Sequence, residues 1–350
     1  MLGQRNAASS MSHLITAGGL GAVRQFFDLM LSLSDRVLDG LTRDVAEAAF
    51  GHTYLETVGS RADSWHDALE STSSMDWCGS FTRAIVKRLP RRFHERPWLL
   101  VDVTTEPYYG VPTLNTVPCK QEHGVLAHWK FFVAALFFPR ERRTVPVLAR
   151  HMPVGARLAD ALDEALRRVG ELGIRPALVL ADREFYQGAV IETFEAHRLR
   201  YLMLVPKNDL VGPMAAQCRA TDERAVVEHE IEWYAEKTAH RARTRLVLWP
   251  DDEWDWAFAT NLPASQARWL VARYRLRWNI ETFFRVHDEA RIKTRSRRAI
   301  VRLATFLLSL LITALWALTD KQTPFKRWLV QLARASWTEP TASRIPRPDG

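Results

Sequence analysis

Cysteine is scarce: the 350 residues hold three, Cys78, Cys119 and Cys218, and no Cys-x2-Cys pair occurs anywhere. Such sparse thiols build neither a disulfide framework nor a zinc site, and a reducing, cytoplasmic compartment is expected. The opening stretch MLGQRNAASSMSHLITAGGLGAV has a single Arg and no apolar block long enough for a signal sequence, so export is not expected. Long apolar runs are missing too. A bilayer span needs about 20 residues, whereas the longest run, Leu303 to Leu318, has 16 and is interrupted by Thr305, Ser309 and Thr313. It reads as a helix buried inside a domain, and no membrane partner is expected. There is no internal repeat and no low-complexity tract. Acids are outnumbered, 40 against 48 Lys plus Arg, and the resulting +8 leans towards a polyanion partner. With 47% hydrophobic and 25% charged residues the chain is ordinary globular material, long enough for about two domains.

Up to about residue 95 the apolar spacing is helical, in LGAVRQFFDLMLSLSDRVLDGL and RDVAEAAFGHTYLETV. The polar stretch SWHDALESTSSMDWCGS separates these helices from FTRAIVKRLPRRFHERP, where Arg83, Lys87, Arg88, Arg91, Arg92 and Arg96 face one acid, Glu95. That stretch is either a solvated face with a linker or a phosphate-facing segment. After Pro97 the texture changes to short apolar runs. WLLVDVTT (98–105), GVLAHWKFFVAALFFP (124–139) and TVPVLAR (144–150) read as strands of an antiparallel meander. GARLADALDEALRRVGELG follows as an amphipathic helix, PALVLAD as a strand, YQGAVIETFEAHRL as a helix and RYLMLVP as a strand, the parallel crossover unit. Residues 207–262 alternate apolar with polar and predict a β-rich insertion, after which helices resume in SQARWLVARYRLRWNIETFFRVHDEARIKT.

Three carboxylates stand out. Asp102 lies inside the apolar run LLVDV, where a carboxylate is costly unless it is paired or holds a cation. Asp182 closes PALVLAD, a place where a turn cap is the commoner reason for an aspartate. Glu281 lies on a helical pattern whose residues Tyr274, Arg277, Glu281 and Asp288 share one face, and the bland alternative is an exposed Arg–Glu pair worth a few tenths of a kcal/mol. Their order decides between these readings: first strand, fourth strand 80 residues later, and a helix after the fifth strand. That succession is ribonuclease H-like, and it gathers the three positions at one sheet edge.

On these residues the sequence resembles the DDE transposases of bacterial and archaeal insertion sequences, in the cut-and-paste subgroup with a β-rich insertion, from about Leu99 to Leu318. DVTTEPYYG at Asp102 resembles the first-aspartate motif and ADREFY at Ala181 the second. ATNL at Ala259 resembles the strand leaving the insertion, and YRLRWNIE (274–281) fits Tyr-x2-Arg-x3-Glu. The usual basic residue seven positions after the glutamate is replaced by Asp288, with Arg285, Arg291 and Lys293 nearby. The resemblance implies a mixed five-strand α/β sheet of ribonuclease H type with helices. It implies a helical DNA-end-binding region over 1–96, a catalytic domain over 97–319 with its insertion at 207–262, and a basic tail over 320–350.

It also implies two Mg²⁺ ions, with Mn²⁺ as a substitute. Asp102 would bridge both, and Asp182 and Glu281 would hold one each, because hard cations take oxygen ligands and a metal pair serves phosphodiester cleavage. Tyr274, Arg277, Arg285, Arg291 and Lys293 would bind phosphates of double-stranded DNA, at inverted-repeat ends and target, with a dimer acting at the nucleoid. Arg273 to Arg302 carries ten bases against three acids, the excess a DNA channel needs. Trp254, Trp256 and Phe258 read as core of the insertion, or as a stacking surface for a flipped base as in hairpin-forming relatives. The rivals are a relative that binds DNA without cutting it, for which Asp288 speaks, and a carboxylate-pair glycosidase, which would not need the basic helix.

Overall fold

The computed structural model describes residues 74–86, 89, 96–252, 254–291, 296–318 and 323–328. The expected helices before residue 74 and the tail beyond 328 lie outside the described residues. The chain divides into two compact units, Pro90–Phe283 and a second made of Met1–Leu89 with Phe284–Gly350.

The Pro90–Phe283 unit is built on one nine-stranded sheet. Its centre is β1, Trp98–Tyr108, whose Leu99, Leu100 and Val101 are all fully buried, the pattern of a strand covered on both faces. β2, Val117–Glu122, and β4, Arg143–His151, both pair with the long β3, Val125–Phe138, which runs antiparallel to β1. On the other side of β1 come the parallel strands β5, Leu178–Ala181, and β6, Tyr201–Leu204. The five expected strands are therefore present in the order β4-β3-β1-β5-β6, with β2 as a short addition that the polar connection had hidden. Between β4 and β5 runs α2, Leu158–Glu171, which buries Leu158, Ala161, Leu162, Ala165, Leu166 and Val169 as the spacing predicts. Between β5 and β6 runs α3, Gly188–Ala196. α1, Ser74–Val86, belongs to the other unit.

The insertion opens with a helix, α4 (Val211–Thr221), which the reading of 207–262 as a β region did not separate. Its strands β7, Ala225–Ala235, β8, Thr238–Pro250, and β9, Asp255–Thr260, then continue the main sheet. β9 pairs antiparallel with β6 at Leu202↔Thr260, Met203↔Ala259 and Leu204↔Phe258. The cause is legible in β9: Ala257, Phe258 and Ala259 are almost fully buried, and pairing them with β6 leaves no apolar edge open. Asn261 locks the junction. Its side chain accepts from Tyr201 N–H at 3.1 Å and donates to Leu199 O at 2.8 Å and Glu195 Oε1 at 3.0 Å. A 3₁₀ turn, Ala264–Trp269, leads into α5, Leu270–Arg275, and α6, Trp278–Glu289, begins after a tightened turn.

In the second unit α1 packs against α7, Ala299–Leu318. α1 buries Trp77, Phe81 and Ile85 completely, one residue per helical turn, so part of the stretch read as a polar separator is helix core. α7 is long and apolar enough to cross a membrane by length and composition, and 82% of its most apolar window is buried inside the protein. Its interrupting hydroxyls are satisfied within the helix: Thr305, Ser309 and Thr313 donate to Val301, Thr305 and Ser309 carbonyls at 3.0, 3.0 and 2.9 Å.

Candidate active site

β1 and β5 pair in parallel with Trp98 opposite Leu178 and Val101 opposite Ala181, an offset of 178 − 98 = 80. The two aspartates have the same offset, 182 − 102 = 80, so one further step along both strands brings them level on neighbouring strands about 4.8 Å apart. Asp182 is held by its own turn: its Oδ1 accepts from Arg183 N–H at 2.6 Å and caps the 3₁₀ turn Arg183–Phe185. Phe185, fully buried against Phe132, anchors that turn to β3. The turn-cap reading of Asp182 thus holds, and the cap stands level with Asp102. Asp102 Oδ1 accepts from Val103 N–H at 2.8 Å.

Glu281 reaches the same place from the first turn of α6, and Arg277 ties the carboxylates together. The Arg277 guanidinium donates to Asp102 Oδ2 at 3.3 Å and to Glu281 Oε1, and its side chain is only 8% exposed. This inward geometry follows from the tightened turn between α5 and α6, where Arg277 N–H bonds Tyr274 O at 2.8 Å and Ile280 N–H bonds Arg277 O at 2.9 Å. Tyr274 is buried, its ring 5.2 Å from Phe258 and 6.1 Å from Trp256, with the Arg277 guanidinium 5.6 Å from its centroid. Phe258 is core, with the half-buried Trp256 stacked on it at 5.7 Å, whereas Trp254 is exposed.

The electrostatics agree with the geometry. Burial pushes the Asp102 carboxyl up to about 6, Arg277 and the Val103 N–H oppose that, and the nearby Asp182 and Glu281 charges raise it further. Burial also works against the charge on Arg277, but Tyr274, Asp102, Asp182 and Glu281 outweigh it and hold the guanidinium protonated. Burial raises the Tyr274 phenol well above its ordinary range. The site therefore carries three carboxylates and one internal cation.

Among the described residues no group of three or more His, Cys, Asp and Glu side chains is arranged to hold a metal ion. The donor chemistry nevertheless suits a hard divalent cation: carboxylate oxygens only, with Asp102 desolvated and flanked by two like charges. In this arrangement Arg277 supplies the positive charge between Asp102 and Glu281.

The remaining expected site residues are more scattered. Arg285 is exposed on α6, Arg291 is half-buried just past its end, and Lys293 lies outside the described residues. Asp288 has a side chain 67% exposed. A pair the sequence reading passed over sits beside Asp182: Lys130 on β3 is ion-paired with Glu184 of the capping turn. The signal was available, since Lys130 is the one charged residue between Gly124 and Pro139.

Residues 154–316 match the transposase DDE domain family. The matched segment includes Asp182 and Glu281, while Asp102 precedes it. No curated protein sequence matches the chain. Its fold is similar to that of the piggyBac transposase, seen by cryo-electron microscopy in a synaptic complex with hairpin DNA. That likeness has a TM-score of 0.52 at 10% identity and covers 97% of this chain and 83% of that one. The mixed sheet with its helices is thus similar to a transposase catalytic fold.

Proposed function

We propose that this chain is a DNA transposase of the insertion-sequence type, cutting and rejoining DNA by metal-dependent phosphodiester hydrolysis and transesterification. One observation carries the reading. The 80-residue register sets Asp102 and Asp182 level on adjacent parallel strands, and Glu281 joins them from the next helix through Arg277, in a chain whose residues 154–316 match the DDE domain.

Asp102 would face both of two divalent cations, with Asp182 and Glu281 taking one each. Bound there, such ions would neutralise the scissile phosphate and activate the attacking oxygen, first of water and then of the freed 3′-hydroxyl. The chain's own residues do the positioning. The Asp182 turn and the Val103 N–H fix two carboxylates before any cation arrives. Arg277 neutralises Asp102 and Glu281 in the free protein, and its guanidinium has the two donors that would grip a phosphate oxygen. Tyr274, packed on Phe258, is the wall against which Arg277 is oriented. The basic excess around α6 supplies affinity for the DNA backbone, and pairing of two DNA ends would call for a dimer.

The test uses linear duplexes carrying the sequences that flank the coding region. Incubated with the chain and Mg²⁺ or Mn²⁺, they should be cut at the borders of short inverted repeats, and EDTA should stop the cutting. Binding without cutting in either metal would favour the relative that only binds DNA, the reading to which Asp288 and Arg277's place among the carboxylates lend weight.

A further inference from the structure

The segment after β1 is a built feature. Gly110 lets the chain fold back over Tyr108: a Cβ at that position would lie 2.5 Å from the Tyr108 hydroxyl oxygen. Tyr108 packs edge-on against Trp129 at 5.9 Å, and Trp129 lies 5.3 Å from His151. His151 Nε2 closes the ring by donating to Asn115 O at 2.8 Å. On this aromatic pedestal Thr113 and Thr116 lock a tight turn. Thr113 N–H donates to Thr116 Oγ1 at 2.8 Å, Thr116 N–H to Thr113 O at 3.1 Å, and Thr116 is fully buried. Val154 N–H adds a bond to Leu114 O at 3.0 Å from the loop after β4.

All this order presents apolar side chains to solvent. Tyr109 is 65% exposed, Val111 77%, Leu114 82% and the adjoining Val154 49%. Scattered apolar exposure is normal, but four such residues on one pinned tip are not. Four side chains fall well short of the ~800 Å² per partner of a standard protein interface, which argues against a second copy as the occupant. Residues 109–116 carry no charged side chain, and Lys120 and Glu122 on β2 are both exposed. Arg150 and Arg157 are paired to Glu164 and Asp160 on α2, so the tip itself sets no charge against a phosphate backbone. A pinned, uncharged apolar tip is the form of a side-chain wedge that opens a base step.

We infer that the 109–116 loop is a DNA wedge whose apex, Val111 and Leu114, inserts at a base step of bound duplex. The inference rests on the transposase reading for its substrate. The experiment compares the full chain with Val111→Ser/Leu114→Ser, both sites being exposed, on a matched duplex and on one with a single mismatch, each carrying 2-aminopurine beside the step. The wild-type chain should prefer the mismatched duplex by about tenfold, because its step is already loosened, and should raise 2-aminopurine fluorescence. The variant should lose the fluorescence rise and bind both duplexes within twofold, with an unchanged melting temperature and an unchanged salt slope on matched DNA, since no phosphate contact is removed. A variant that keeps the preference and the rise overturns the wedge, as does a wild-type chain showing neither. Conversion of a dimer to a monomer by the variant, read by light scattering, also overturns it and makes the tip a contact between copies. A wild-type chain that binds no duplex at all removes the transposase reading itself, an outcome distinct from binding without distortion.

Discussion

Replacing Asp102 by Asn should stabilise the protein at neutral pH while destroying its proposed function. Burial and its two carboxylate neighbours push the Asp102 carboxyl from 3.8 to about 6, so the folded protein holds this proton more tightly than the unfolded chain does. The stabilising effect of the protonated form is fully present below about pH 4 and is lost as pH rises through about 6. Two pKa units at 1.36 kcal/mol each make the ionised form about 3 kcal/mol worse than the neutral one. Asn is neutral and isosteric and can still accept from Arg277 across the 3.3 Å contact, though without the charge. The attraction of Arg277 is already inside that net shift, so the variant should be more stable by about 3 kcal/mol at pH 7.5, or roughly 6–12 °C in melting temperature. The assay is thermal melting of both proteins in EDTA from pH 4 to pH 8. The two curves should coincide near pH 4, separate up to pH 7 and then run parallel. Mg²⁺ should narrow the gap by stabilising the wild-type chain alone. A variant less stable at pH 7.5, or a gap that does not change with pH, would refute the reasoning.

Two further substitutions probe the bases. Arg277→Met should cost about 2–4 kcal/mol in urea unfolding, because it strands two carboxylates around a guanidinium that is 8% exposed; a change below about 0.5 kcal/mol would mean that its ion pairs carry no weight in the free protein. Asp288→Lys, at a side chain 67% exposed, should tighten duplex binding at low salt and steepen the slope of log K against log salt by about one unit; an unchanged slope would remove position 288 from the DNA-facing surface.

Much of the site was legible because its determinants are local. A carboxylate inside LLVDV is costly wherever the strand goes, and the 80-residue spacing of the aspartates equals the β1–β5 register because both stand one step past paired, fully apolar runs. The strand succession was legible for the same reason, since each run bounded by turn residues makes one strand. Tertiary choices were not. Nothing in YRLRWNIE says whether Arg277 faces a phosphate or its own carboxylates; that depends on a tightened turn between two helices and on the Phe258 wall brought by the insertion. The alternation in 207–262 announced strands but not that β9 would pair with β6, which depends on which edge is left open. The pinned loop at 109–116 was invisible because its short, Pro- and Gly-containing sequence looks like any turn. Its order comes from Trp129 and His151, residues about 20 and 40 positions away.

The central claim is that Asp102, Asp182 and Glu281 act together in a metal-dependent cut. The most direct measurement is strand cleavage of end-bearing duplex in Mg²⁺ by Asp102→Ala, Asp182→Ala and Glu281→Ala, with duplex affinity measured on the same preparations. The account predicts that each variant binds DNA within a few-fold of the wild-type chain and that none cuts it. Cutting at near wild-type rate by any one of them would contradict the claim.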